Sequence, residues 1–283
     1  MDPKPISGLR LGAMTKITAG SVSGLYVYHQ DTDEPSSASS TYTLTTSDDY
    51  WIGQYPITQE QYYAVIGKNP SYFNNQMQGP LSTPLVKPGE IQERRPVERV
   101  TWYNAIAFCN NLSEMGGYTP VYTLGSGSPP VVTVNPSANG YRLLTEEEWE
   151  WAYRAGTTTR SYWGNSMEVS DVTPYAWYII NSQTVPSTVN PGEWSHGTHQ
   201  VGLKLPNAWG LYDMAGNVGE WVFTERSNRI TRKIQGGHYY SGAGVLGARN
   251  TLGEYAHVLF EGADWNTSQR VRQTGFRIGR NAE

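Results

Sequence analysis

One cysteine stands in 283 residues. The lone Cys109 excludes an intrachain disulfide and any reaction that needs two thiols from the same chain. Charge is also scarce: Asp, Glu, Lys and Arg make up 16% of the residues, with a formal net charge of −4. That balance gives no attraction for a nucleic-acid backbone, so no nucleic-acid partner is expected. No apolar run reaches the roughly 18 residues of a membrane-spanning helix. The opening "MDPKPISG" has no apolar stretch of the signal-peptide kind, so export, if it occurs, is not written there.

What is abundant points the other way. Thirty glycines, seventeen prolines, twenty tyrosines and ten tryptophans describe a loop-rich globule with a polar but weakly charged surface. The polar run 31–47 reads as a surface loop. "YWIGQYPITQEQYYAVIG" reads as a short strand and a helix, with a capping box at Thr58 and Gln61 and a left-handed stop at Gly67. In "VTWYNAIAFCNNLSEMGG", Trp102, Ala105, Ile106, Cys109 and Leu112 fall at helical spacing, and Gly116 and Gly117 end the helix. Cys109 therefore sits on an apolar stripe, where a buried inert thiol is expected rather than a nucleophile.

"VVTVNP" is β-like, and "YRLLTEEEWEWAYRAG" supplies a third helix. Thr145 and Glu148 cap it, Glu146 and Glu147 suit its positive start, Arg154 suits its end and Gly156 stops it. Capping explains these carboxylates better than acid–base chemistry does. Beyond residue 156 helical periods almost vanish. The expectation is an α+β unit, one domain over 1–283, whose second half is mostly irregular.

Candidate sites are few. Gly242, Gly244 and Gly247 spell G-x-G-x-x-G, and Glu261 and Asp264 lie near the distance of a ribose-binding acid. The context is wrong: "GGHYY" is no buried parallel strand and "ARNTLGEYAH" is no clear helix, so no nucleotide is expected. His196 and His199 are a weak metal pair lacking a third ligand, and read as surface residues. Arg226, Arg229, Arg232 and Lys233 read as a solvated basic cluster. Asn217 and Glu220, on a Gly-rich turn, offer hard oxygens that suit a structural Ca²⁺; equally, they can bond the backbone of neighbouring loops. No cofactor is required.

In order, "PITQEQYYAV", "RPVERVTWYNAIAFCNNL", "YRLLTEEEWEWAYRAG", "NAWGLYDMAGNVGEW", "IQGG" and "GFRIGR" resemble the motifs of the formylglycine-generating-enzyme (sulfatase-modifying factor) superfamily, over about residues 50–280. The resemblance implies a C-type-lectin-like fold of the formylglycine-generating-enzyme type, loop-rich with little regular secondary structure, often with calcium. It also implies two copper-binding cysteines shortly after the "GG" landmark. Here that segment is "GGHYYSGAGVLGAR", with Ser241 about where the first cysteine would stand, and neither thiol exists. Gly219 replaces the usual tryptophan and is expected to open its neighbourhood.

The cysteine chemistry of the family is thus excluded, and a non-enzyme is expected. Between the "GG" and "GFR" landmarks stand His238, Tyr239, Tyr240, Ser241, Val245, Leu246, Tyr255, His257, Leu259, Phe260 and Trp265 among small residues. Large aromatics beside small neighbours are the composition of a contact surface. The chain is similar to the variable proteins of diversity-generating retroelements, those of treponemes in particular, which carry a mutable patch in this interval. The resemblance implies a scaffold over about 10–235 and a ligand-binding segment over about 236–275. It further implies a protein lipid-anchored at the cell surface; a monomer that binds a macromolecular ligand, protein or glycan, is expected. The alternatives are a divergent enzyme of the same superfamily, with His238, Arg249 and Glu261 as candidates, and a fixed carbohydrate-binding or structural module.

Overall fold

The computed structural model describes residues 11–26, 41–74, 87–127, 130–184, 196–224, 231–243, 246, 255–257 and 272–282. Three helices carry the packing. Helix α1 (Gln59–Ile66) starts at Thr58, whose side chain and that of Gln61 cap each other's backbone, and it stops at Gly67 with φ of 79°. Helix α2 (Trp102–Met115) begins with a capping box between Thr101 and Asn104. Trp102, Ala105, Ile106, Cys109 and Leu112 are all buried, so the predicted stripe is the helix's inner face. Burial pushes the Cys109 thiol far up, as expected of an inert core residue. Helix α3 (Glu146–Arg154) has the predicted box of Thr145 and Glu148 and ends one residue before Gly156, at a left-handed Ala155. After it only the four-residue α4 (Val169–Val172) is α-helical among the described residues.

Short strands join the helices. β4 (Tyr50–Gly53) lies between β1 (Met14–Ile17) and β12 (Gly279–Asn281), and β7 (Tyr141–Arg142) completes that antiparallel sheet. β12 is therefore held between β4 and β7, and β4 in turn holds β1. A second sheet runs β10 (Tyr255–His257), β9 (Thr231–Gln235), β8 (Gly219–Trp221) and β11 (Thr274–Gly275), with β8 and β11 parallel. β5 (Tyr122–Leu124) pairs with β6 (Val132–Val134).

One expected loop is a strand. β3 (Thr41–Thr46) pairs antiparallel with β2 (Gly20–Tyr26), so only 31–40 of the polar run lies outside the described residues. Tyr42, Leu44 and Thr46 alternate inward while Thr41, Thr43 and Thr45 face out, a half-buried period of two hidden by the Ser/Thr composition. The core has two clusters. One gathers α1 and α2 around Trp102, Phe108 and Phe276; the other gathers α3 around Trp149, Tyr153 and Leu211. No helix among the described residues is long and apolar enough to cross a membrane.

Candidate functional site

The segment after the "GG" landmark is reached through β9, and β9 is held by β8 of the "GNVGEW" landmark. That landmark is locked by charge. Arg277, from "GFR", grips Glu220 with both ends of its fork: Nε donates to Oε2 at 2.6 Å and Nη2 to Oε1 at 2.7 Å. Trp149 Nε1 donates to the same Oε2 at 2.7 Å, and Arg277 also donates to the carbonyls of Gly53 at 3.1 Å and Tyr212 at 2.9 Å. Both charged side chains are 1% exposed. One buried ion pair thus ties α3, β4, β8 and the C-terminal strands together.

Asn217 is similarly engaged. It sits in the left-handed region at φ 61°. Its Oδ1 accepts from the His199 N–H at 2.9 Å, and its Nδ2 donates to the His199 carbonyl at 3.0 Å and to Asp213 Oδ1 at 3.3 Å. Asp213 also accepts from the Gly202 N–H at 2.7 Å, and burial pushes its carboxyl up to about 6. The two residues expected to suit Ca²⁺ do not fit it. Glu220 is neutralised by an arginine, and both polar ends of Asn217 face protein partners. Among the described residues no group of three His, Cys, Asp or Glu could hold a metal ion.

Gly219 does not open its surroundings either. A Cβ there would meet Ile234 Cγ2 at 2.5 Å, so the space of a missing tryptophan is closed by Ile234 from β9. Gly216 has φ of 73°, and a Cβ on it would collide with the Trp177 carbonyl. Only glycine lets the turn lie against residue 177, whose carbonyl accepts from the Asn217 N–H at 2.8 Å.

On this base the post-"GG" turn closes upon itself. The Ser241 hydroxyl accepts from the His238 N–H at 3.0 Å, and the Ser241 N–H donates to the His238 carbonyl at 2.9 Å. The Tyr240 N–H donates to His238 Nδ1 at 3.1 Å, and Ser182 Oγ donates to the Tyr239 carbonyl at 2.6 Å. The Tyr239 N–H donates to the Asn217 carbonyl at 3.1 Å, which joins turn to clamp. Ser241, at the expected cysteine position, thus shapes the turn.

The expected contact residues separate into two groups. His238 is 8% exposed, Tyr239 7%, Ser241 5% and Leu246 0%. Tyr239 stands edge-on to Phe73 at 5.2 Å, and the Leu246 carbonyl accepts from the Tyr153 hydroxyl at 2.6 Å. Leu246 belongs to the core around α3, and its apolar side chain is excluded from any surface. Tyr240 is half-buried and lies edge-on to the half-buried His196 at 5.5 Å; Gly242, beyond the buried Ser241, is exposed. Tyr255 and His257 lie in β10, described by its backbone alone. Val245, Leu259, Phe260 and Trp265 lie outside the described residues, as do Arg249 and Glu261.

Other expectations need correction. His199 is buried rather than a surface residue: it stacks on Trp177 at 3.8 Å and meets Glu90 Oε1 through Nδ1 at 2.7 Å. Burial holds its pKa below the ordinary imidazole value, against the opposing pull of Glu90. Arg232 and Lys233 are not solvated. Arg232 lies over the Trp102 ring at 4.5 Å, and Lys233 pairs with Glu146 at the start of α3. Arg154 is buried too and bonds Glu150 Oε1 at 3.0 Å.

Composition gave no sign of Glu98, which is fully buried behind the turn. Its Oε1 accepts from the Phe73 N–H at 2.8 Å, and burial pushes its carboxyl up to about 7 despite that bond and nearby Arg95. The signal available was an acid inside the apolar "PVERV", between two buried valines.

The comparisons agree with this architecture. Residues 7–282 match the family described as sulfatase-modifying factor enzyme 1-like domain. The chain is 35% identical over 207 residues to a chaperone protein LppX of Paenibacillus barcinonensis, covering 66% of each. It is 29% identical over 148 residues to a formylglycine-generating enzyme of Bos taurus, covering 51% of this chain and 30% of that one. The chain thus spans no more than about two thirds of the length of these curated relatives. Among solved structures, Treponema denticola variable protein 1 is similar over 95% of both chains, with a TM-score of 0.71 and 30% identity. With a match over nearly the whole chain, and with its landmarks clamped to one another by Glu220 and Arg277, this protein belongs to the sulfatase-modifying factor enzyme 1-like family.

Proposed function

We propose that this protein is a non-enzymatic, single-domain ligand-binding member of its family, presenting a variable-type surface after the "GG" landmark. The observation that carries the reading is the turn at 238–241. It stands where the family's cysteine chemistry is expected, yet Ser241, His238 and the backbone engage one another, and Tyr240 emerges half-exposed beside His196. A self-closed turn above a charge clamp tolerates a change of side chain at its exposed positions, because its geometry does not depend on them. Likeness over 95% of the chain to a protein described as variable supports the same reading.

The ligand is a macromolecule, protein or glycan, that meets Tyr240 and the segment up to about residue 270. The cell surface, with a lipid anchor on the full-length protein, is the setting that the resemblance suggests. A divergent enzyme would need ionisable groups that reach solvent. Of its candidates the structure describes His238 alone, which is buried and whose Nδ1 accepts from the Tyr240 N–H.

Sequencing the gene from many cells of a clonal source tests the reading. Substitutions should gather within 238–270, at Tyr240 but not at Tyr239, Ser241 or Leu246, with "GLYDMAGNVGEW" and "GFR" unchanged. Sparse and even variation would refute a diversified surface and favour a fixed binding or structural module.

A further inference from the structure

A second feature lies around Trp177, whose carbonyl accepts from the Asn217 N–H. Trp177 is 8% exposed. The His199 imidazole covers one face at 3.8 Å and nearly parallel, at 14°. The ammonium of Lys204, only 3.9 Å from the same ring centroid, must therefore occupy the other face. The ammonium of Lys87 stands 5.6 Å from that centroid. Two cations thus converge on one neutral ring.

Lys87 is exposed to solvent, whereas Lys204 is half-buried, a setting in which an ammonium ordinarily has a counter-charge. Among the described residues neither amine has a carboxylate within ion-pair distance. Glu90 is turned to His199 and the Gln200 N–H, and Asp213 to Gly202 and Asn217. Lys204 donates to the neutral Thr173 carbonyl at 2.5 Å, so no ion pair neutralises it among the described residues. Burial and then repulsion from Lys87 lower its pKa to about 8, against Asp213. A third donor is idle: Trp177 Nε1 is buried without a hydrogen-bond partner, a position that costs free energy until an acceptor arrives.

We propose that Lys87, Lys204 and the Trp177 indole N–H form a binding site for a small oxyanion, a carboxylate or a sulfate group. The chemistry follows from the donors. Two ammonium groups and one N–H offer only hydrogens, so the ligand must be an acceptor throughout, and its charge must be negative. Several oxygens on one centre let it accept from an amine and from the indole together. The site is separate from the Tyr240 surface and does not rest on the reading proposed for that surface.

The test follows the indole ¹H–¹⁵N resonance of Trp177, identified by its loss in Trp177→Phe. The full chain is titrated with sodium acetate and, separately, sodium sulfate, against sodium chloride at constant ionic strength. The expected result is a saturable shift of that resonance with one of the oxyanions, which also distinguishes carboxylate from sulfate. Affinity should fall at least tenfold in Lys87→Met/Lys204→Met while the rest of the spectrum is unchanged. No saturation, equal affinity in the double variant, or an equal saturable shift with chloride would each overturn the proposal. If Trp177→Phe does not fold, the indole resonance that differs between wild type and Lys204→Met serves as the reporter, and the same outcomes decide.

Discussion

The Glu220–Arg277 clamp on β8 and the 238–241 turn that follows β9 hold shape by different means. The clamp closes across the chain: a carboxylate meets a guanidinium 57 residues away, both fully dry. The turn closes within three residues, through Ser241 and the backbone of His238. Removing one member of a dry ion pair leaves a charge that nothing screens, whereas losing an exposed side chain of a self-closed turn leaves its hydrogen bonds in place. A scaffold that must stay constant beneath a surface that can change is well served by this division.

The largest effect is expected at the clamp. Arg277→Met or Glu220→Leu alone should cost about 3–5 kcal/mol, because each strands a buried charge. At 2–4 °C per kcal/mol for a chain of roughly this size, the melting temperature should fall by about 10 °C. The double variant should lose less than the two losses added. Full additivity in thermal unfolding would show that the pair does not act as a unit.

Tyr239→Ala comes next. Tyr239 is 7% exposed against Phe73, and its removal should cost about 3 kcal/mol, as for other buried aromatic rings. A loss of less than 1 kcal/mol in denaturant unfolding would return Tyr239 to the surface group.

Glu98 makes the comparison depend on pH. Its folded pKa of about 7 exceeds the ordinary 4.5, so between those values the folded chain holds a proton that the unfolded chain has released. Stability from this group therefore rises as pH falls from 7 towards 4.5, and above 7 the native state carries the full penalty of a buried carboxylate. Glu98→Gln should stabilise the protein at pH 8 by up to about 3 kcal/mol relative to pH 5. Equal changes at both pH values in paired unfolding curves would remove Glu98 as the source.

The smallest stability effect belongs to Tyr240. Tyr240→Ala should cost less than about 1 kcal/mol, since the ring is half-exposed and its backbone bonds survive. Binding should be lost all the same once a ligand is identified. A drop comparable to that of Tyr239→Ala would place both rings in the core and end the distinction between surface and support.

Several features were legible before any coordinates. The capping boxes at Thr58 and Thr145 and the inner face of α2 each depend on residues no more than four apart or on one helical period. Strand β3 was legible in the alternation of Tyr42, Leu44 and Thr46 but was masked by its polar composition. The contact surface is readable in sequence only as a group of residue types, which puts Tyr239 and Leu246 with Tyr240 although both are buried and Tyr240 is not.

The family, the helices and their caps, the inert thiol and the absence of a cysteine pair are all legible along the chain, because each is a matter of residue identity or of near neighbours. Tertiary structure alone decided that Glu220 faces Arg277 instead of a cation and that Asn217 clamps His199. It also decided that Arg232 and Lys233 are covered, and that two lysines meet over Trp177. The reason is physical: whether a charge is solvated, paired or stranded depends on which groups the fold brings within a few ångströms, and those groups lie tens of residues away along the chain.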